Sequence, residues 1–327
     1  MNDALQLIGA FDRARVLLIG DTIVDEYVYG TVLGTSAETP TIVAKELETK
    51  TFQGGAFLVA RHLLALGAEV KFCTLVGHDK TAEVVKGFAH PRFTLLPVSD
   101  AERKTTIKKR FWVDGYKLLQ FDQLDNRPFA DAAGVSTTLG PAIASSDAVV
   151  VSDYRHGLLS PAVIAAVMRL AREAGKPLYV DSQVSQSAAN HTLYHGADVI
   201  CLNLKEARAI DPAFQPSPEA SASTYAALVD RLGVANIVVK LGADGAMGWL
   251  GGRAFRAPAI SVRVVDTCGA GDAFLAALCL SGLARPELSL QIANHWAGLA
   301  TTIHGTVPPT AAQLVASLQA GIQGAHR

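Results

Sequence analysis

The residues with the clearest chemical meaning lie in Asp266-Thr267-Cys268-Gly269-Ala270-Gly271-Asp272, which runs straight into the apolar stretch AFLAALCLSGLA. The segment VVDTCGAGDAFLAALCL reads as a strand entering a glycine-rich turn and then a helix. That order leaves the backbone amides of Gly269, Ala270 and Gly271 unpaired at a helix N-terminus. Those amides form an anion cradle. The missing side chains at Gly269 and Gly271 let phosphate oxygens approach the backbone, and the helix dipole favours developing negative charge. Asp272 stands at the helix entrance beside the cradle. In phosphoryl transfer a protein chiefly sets an acceptor hydroxyl in line with the transferred group and takes its proton, and a carboxylate placed there can do so. Taken alone, the segment reads first as an aspartate N-cap after a glycine turn.

The elements that must position these residues follow from short apolar runs separated by helical stretches: Val16 to Ile19, Val70 to Val76, Ala148 to Val151, Leu178 to Val180, Val199 to Leu202 and Ile237 to Val239. The alternation predicts a largely parallel sheet with helices on both faces. Asp21 soon after the first run, and Asp153, Asp181, Asn203 and Lys240 directly after later ones, should converge on a crevice beyond the carboxyl ends of the strands. Any one of them alone reads as a turn or cap residue. Two segments break the pattern. Residues 27–52 mix polar and apolar residues at strand period, and TTIKKRFWVDGYKLLQFD at about 105–122 reads as a hairpin turning at Asp114-Gly115. Together they predict a small sheet projecting from the main domain, either a lid over the crevice or a decorative edge. Helices are expected from Asp272 onward and over LSLQIANHWAGLATTI and AAQLVASLQAGI.

Composition narrows the partners. The chain has 327 residues, half of them hydrophobic, enough for one large core, so a single domain spanning 1–327 with the two lid segments is expected. Lysine and arginine number 29 against 30 acidic residues, which leaves no positive field to draw nucleic acid or an anionic membrane. A small molecule is the expected partner. No leader pattern or membrane-length apolar run is found, so a soluble cytoplasmic protein is expected. Cys73, Cys201, Cys268 and Cys279 form no Cys-x-x-Cys pair and read as reduced, mostly buried thiols. His191 and His195 would share a helical face suited to a metal, but NHTLYHGAD reads as a loop.

The spacing Asp-Thr-x-Gly-Ala-Gly-Asp resembles the C-terminal signature of the ribokinase or PfkB family of carbohydrate kinases. Gly54-Gly55-Ala56, Ala60, Gly67 and Gly77 fit that family's N-terminal signature, so the resemblance spans most of the chain. It implies a ribokinase-like, doubly wound α/β fold with a small β lid, and transfer of phosphate from ATP with Mg2+. Asn203-Leu204-Lys205-Glu206 resembles the family's Asn-x-x-Glu motif, whose glutamate organises magnesium largely through water. Lys240-Leu241-Gly242-Ala243-Asp244-Gly245 resembles its nucleotide-binding strand and turn. Asn294 falls where the family has a residue near the adenosine, and Asp266 where many members support a monovalent cation such as K+. Asp21 and Asp25 match the sugar-contacting region, where carboxylates suit a polyol, and Gly54-Gly55 would let the sugar lie against the backbone.

Within the family, GDTIVDEYVYG, SAETPTIVAKE and VVSDYRHGLLS are most similar to the heptose 7-phosphate kinases, which implies transfer to the anomeric hydroxyl of a sugar already carrying a phosphate. Lys108 and Arg110, two apart on a lid strand, and Arg155 beside the crevice offer a distal phosphate site; a solvated charged edge is the alternative. The pattern breaks at Leu58, where the family has an asparagine, and at Asp181-Ser182-Gln183, where the heptose kinases tend to have Asp-Pro-Lys. Losing an amide selects against polyol orientations that rely on it. No second nucleotide-binding pattern follows, so the nucleotidyltransferase domain of some relatives is expected on a separate enzyme. An exposed lid sheet offers edges through which two protomers would pair as a homodimer. Two readings from other classes are a dehydrogenase, disfavoured because Gly20-Asp21-Thr22-Ile23 lacks Gly-x-Gly-x-x-Gly, and a silent sugar- or nucleotide-binding module.

Overall fold

A computed structural model describes residues 2–184, 189–217 and 221–324. Its strands are β1 (Arg15–Gly20), β2 (Thr22–Thr35), β3 (Ile42–Gly55), β4 (Glu69–Val76), β5 (Phe93–Ser99), β6 (Ile107–Val113), β7 (Tyr116–Gln123), β8 (Ala148–Asp153), β9 (Leu178–Ser182), β10 (Val199–Asn203), β11 (Asn236–Lys240), β12 (Ala246–Leu250) and β13 (Arg253–Ala257). The helices are α1 (Asn2–Ile8), α2 (Ala56–Ala65), α3 (Lys80–Lys86), α4 (Ala132–Ala144), α5 (Pro161–Glu173), α6 (Leu204–Ile210), α7 (Ala222–Leu232), α8 (Ala270–Ser281), α9 (Pro286–Ala300) and α10 (Ala311–Gly324).

Nine strands form one sheet in the order β13-β12-β11-β10-β9-β8-β1-β4-β5, parallel from β5 to β11 and antiparallel for the last two. Alternation of side chains along each strand divides the core. Val16, Leu18 and Val150 face one apolar layer with α2 and α8, while Leu17, Ile19 and Val149 face the other with α4 and α5. Both faces are covered, which is why these strands read as continuous apolar runs. The chain winds outward from β1 to β4 and β5, then returns to β8 on the other side of β1. The switch point, where a crevice must open, is therefore between β1 and β8.

The second sheet has the order β3-β2-β6-β7 and contains both expected lid segments. Asp114 and Gly115, at φ 48 and 79, make the tight turn between β6 and β7. One expectation fails. The residues before Asp266 are not a strand: they run as an irregular segment along the crevice, with Val264 57% and Val265 53% exposed. The amides of Val265 and Asp266 bond to the Thr301 carbonyl rather than to a neighbouring strand. With no strand partner there, β-branched composition alone cannot make a strand. The helix beyond also starts at Ala270, two residues before Asp272.

Candidate active site

A crevice of about 630 Å³ opens beyond the carboxyl ends of β8 to β11, lined by Asp153, Tyr154, Asp181, Asn203, Glu206, Lys240, Gly242, Gly245, Asn294 and the turn from Gly269 to Asp272. Gly269 caps α8 in the left-handed conformation. Its φ is +78, and a Cβ there would lie 2.2 Å from Leu58 Cδ2. Leu58, which stands in place of the expected asparagine and is only 2% exposed, thus backs onto the cradle's first residue. The cradle is not wholly free as expected: the Ala270 amide makes a long 3.3 Å bond to the Thr267 carbonyl, because the turn tightens as the helix begins.

Asp272 is buried, and burial pushes its carboxyl up to about 7, against the Tyr154 hydrogen bond and the Lys240 charge, which lower it. The Tyr154 hydroxyl donates to both carboxylate oxygens, at 2.8 and 2.9 Å. In the sequence Tyr154 stands out only as part of the family-like segment VVSDYRHGLLS. The signal available was its place directly after β8 at the sheet's switch point.

Lys240 at the end of β11 is paired with Asp181 of β9, across the end of β10 that lies between them. A Cβ on Gly271 would lie 3.3 Å from its Nζ, so the ammonium faces the cradle. Burial would lower its pKa, but Asp181 and the surrounding acids outweigh that and raise it, so the group stays cationic. Asn203 and Glu206 cap α6 reciprocally: the Glu206 amide donates to Asn203 Oδ1 at 2.9 Å, and the Asn203 amide to Glu206 Oε2 at 2.7 Å. Burial, then the nearby Asp181, raises the Glu206 carboxyl. Gly242 and Gly245 hold the following turn at φ 61 and 86, and the Asn294 amide group donates to the Pro258 carbonyl at the crevice wall. The Asp266 carboxylate accepts from the amides of Cys268, at 2.9 Å, and Gly305, at 3.2 Å, fastening the cradle loop to the end of α9. Gln183 also lines the crevice.

The sugar side departs from expectation. Asp21, expected to meet a sugar, is 2% exposed, and its carboxylate accepts from the backbone amides of Tyr154, His156 and Leu158. It secures a loop. Burial and the neighbouring Asp153 raise its pKa. Asp25 pairs with Arg110 of the lid, whose guanidinium lies 5.2 Å over the Tyr27 ring. Gly54 is glycine because a Cβ would sit 2.1 Å from Asp25 Oδ2, and Gly55, at φ +60, because one would sit 2.6 Å from the Asp21 carbonyl. Both glycines leave room for these neighbouring atoms of the chain. Lys108 and Arg110 face the same side of β6, in register with Asp25 and Tyr27. Arg155 has φ 65 in the loop that Asp21 secures. His191 starts a single 3-10 turn ending at Tyr194, and among the described residues no group of three metal-ligating side chains occurs. Cys268 is exposed, while Cys73, Cys201 and Cys279 are buried. Among the described residues no helix is long and apolar enough to cross a membrane.

Comparisons with known proteins bear on the family and the fold. A family model described as pfkB family carbohydrate kinase matches residues 13–313. The bifunctional protein HldE of Caulobacter vibrioides is 35% identical over 324 residues, covering 97% of this chain and 66% of that protein. The bifunctional protein HldE of Paramagnetospirillum magneticum is 32% identical over 330 residues, with the same two coverages, so the chain spans 66% of the length of either relative. Among solved structures, Arabidopsis thaliana ribokinase complexed with ribose and ATP superposes with a TM-score of 0.71 at 20% identity, covering 93% of this chain and 98% of that one. Phosphofructokinase-2 from Escherichia coli in complex with potassium gives 0.73 at 16% identity, with coverages of 93% and 97%. At these identities the structural likeness establishes the fold.

Proposed function

The chain belongs to the pfkB family of carbohydrate kinases, and we propose that it transfers the γ-phosphoryl group of ATP to a sugar hydroxyl with Asp272 as the base. The observation that carries this reading is the buried Asp272 carboxylate beside the glycine cradle, with the Lys240 ammonium on the cradle's other side. The acceptor oxygen attacks phosphorus, the bond to the bridging oxygen of ADP breaks, and the acceptor proton passes to Asp272. The amides of Gly269 to Gly271 and Lys240 stabilise the charge that builds on the phosphoryl oxygens. A carboxyl held near 7 is half ionised at neutrality and takes a proton readily, so turnover should rise with pH through that value.

The crevice fits a nucleotide with its metal. Glu206, buried and fixed by its cap, would hold Mg2+ through water, an arrangement suited to an ion that keeps several waters and takes its other oxygens from phosphate. When bound, the ion supplies charge neutralisation across the phosphates. Asn203, Gly242, Gly245 and Asn294 would contact the nucleotide, and the Asp266 loop is the candidate for a monovalent cation such as K+.

For the acceptor, we favour the anomeric hydroxyl of a heptose 7-phosphate or a similar sugar phosphate. That choice rests on the family-like segments around Asp21, Ser36 and Asp153, and on the basic Lys108, Arg110 and Arg155 around the sugar end. An unphosphorylated sugar or nucleoside is the second reading, favoured by Leu58. The lid supports pairing with a second copy: β7 is exposed along its whole length, and Leu33, Leu47, Tyr116 and Phe121 are each more than 60% exposed. The test is ADP release across hexoses, heptoses, their phosphates and nucleosides, alongside Asp272→Asn. The variant should bind ATP but turn over roughly two to four orders of magnitude more slowly, the range for a lost general base. Near wild-type turnover would remove Asp272 from that role, and ATP binding without turnover on any sugar would favour a silent module.

A further inference from the structure

We propose that Tyr154 is a positioning residue for the base, and that Asp21 acts on catalysis through it: the Tyr154 hydroxyl fixes the Asp272 carboxylate, and the Asp21 carboxylate fixes the loop that carries Tyr154. The inference rests on the reading of Asp272 as the base. Its geometry is independent of that reading. One phenol meets both oxygens of one carboxylate at 2.8 and 2.9 Å, and one buried aspartate gathers the amides of residues 154, 156 and 158 at 3.1 to 3.2 Å.

The loop in between is held against its own preferences. Arg155 has φ 65, a left-handed conformation that is strained for a non-glycine residue and persists only where the surroundings over-determine it. The surroundings do so here. The Arg155 amide donates to Asp153 at 2.9 Å, Gly157 takes φ 106, and the buried Arg103 guanidinium donates to the His156 carbonyl from the far side. Because β1 and β8 are neighbours at the switch point, Asp21 and Tyr154 leave adjacent strands side by side. The Asp21 amide also bonds to the Ser152 carbonyl.

Holding the base this way does not block it. An ionised carboxylate has about four lone-pair sites, so two remain for an acceptor hydroxyl while the phenol stays in place. The bond also favours the ionised form of Asp272. The other groups facing that carboxylate are Asp181 from β9, Lys240 from β11, Asp25 from β2 and Cys268 from the cradle loop; only Lys240 among these favours the anion. Removing the phenol therefore leaves one stabilising charge against burial and two acids.

The experiment is the pH profile of turnover from pH 5.5 to 9.5 for the wild type, Tyr154→Phe, Asp21→Asn and Asp272→Asn. Tyr154→Phe should move the acidic limb up by about one pH unit, which at pH 7 is an approximately fivefold loss that disappears at high pH. Asp21→Asn should shift the limb the same way, since it loosens the loop that presents the phenol. Replacing Tyr154 with difluorotyrosine keeps the ring shape and makes the hydroxyl a stronger donor, so it should move the limb down. That arm guards against a variant that fails to fold. A loss for Tyr154→Phe that is equal at every pH, or a fluorotyrosine profile that coincides with the wild type, would overturn the inference. If Asp272→Asn retains turnover, the reading of the base has failed; if it is inactive while the other profiles stay unshifted, only the inference has failed.

Discussion

Replacing Gly269 with alanine tests how the anion cradle is held. At φ +78 an L-residue pays about 1–2 kcal/mol in backbone strain. The new Cβ would lie 2.2 Å from Leu58 Cδ2, and Leu58 is buried and cannot swing into solvent. Overpacking of this kind costs about 1–3 kcal/mol, so the variant should lose roughly 2–5 kcal/mol of stability in total. Leu58→Ala removes the obstructing atoms but opens a cavity, at a cost of about 2–5 kcal/mol. The double variant separates the two contributions, because the steric part is relieved while the backbone part remains. Urea denaturation of all four proteins, at constant denaturant slope, should show the double variant more stable than the sum of the singles by about 1–3 kcal/mol. Turnover of Gly269→Ala should fall by about a hundredfold, the scale of losing one oxyanion donor, since a Cβ only 2.2 Å from Leu58 Cδ2 must displace the cradle. Additive stabilities would refute the argument that Leu58 dictates glycine here.

Two further outcomes concern the lid. Lys108→Ala should raise KM for a phosphorylated sugar well above its effect on the unphosphorylated one; it is a cleaner probe than Arg110→Ala, which also strips the buried Asp25 of its partner. Equal effects on both sugars would sink the distal-phosphate role. Leu47→Glu with Phe121→Glu should lower the sedimenting mass by half if the lid pairs two copies, and a wild type that sediments as a monomer would defeat that pairing.

The parts of this protein legible in its sequence are those where local chemistry and global position agree. The six apolar runs became strands because both sheet faces are covered, so periodicity and burial gave one answer. Asp114-Gly115 became a hairpin turn because few residues tolerate φ 48 followed by 79. The illegible parts depend on a partner far away in sequence. Val264 and Val265 have strand composition, but among the described residues no strand pairs with them. Gly54 fits a family motif, and the atom nearest a Cβ there, Asp25 Oδ2, belongs to a residue 29 positions earlier, at 2.1 Å. Tyr154 shows in the sequence only its place directly after β8, because its hydrogen-bond partner Asp272 is 118 residues away.

Asp21 and Asp25 illustrate why the sugar end was harder to read than the phosphate end. They occur four residues apart in one segment and invite one role, but their partners differ: backbone amides at the sheet's switch point for Asp21, and the lid guanidinium of Arg110 for Asp25. Arg110 engages Asp25 Oδ1, so a hydroxyl that bonds to that oxygen shares it with the guanidinium. Burial already raises the Asp25 carboxyl, and Arg110 only partly offsets that, so a substrate that draws Arg110 away leaves a costly buried carboxylate unless it donates hydrogen bonds in return. A sugar phosphate would answer both demands, its hydroxyls donating to Asp25 and its phosphate accepting from Arg110, whereas an unphosphorylated sugar would answer only the first. On the proposed reading that the acceptor's hydroxyls meet Asp25, a phosphorylated acceptor would be selected through charge balance at Asp25 and Arg110 and not through a hydrogen bond from position 58.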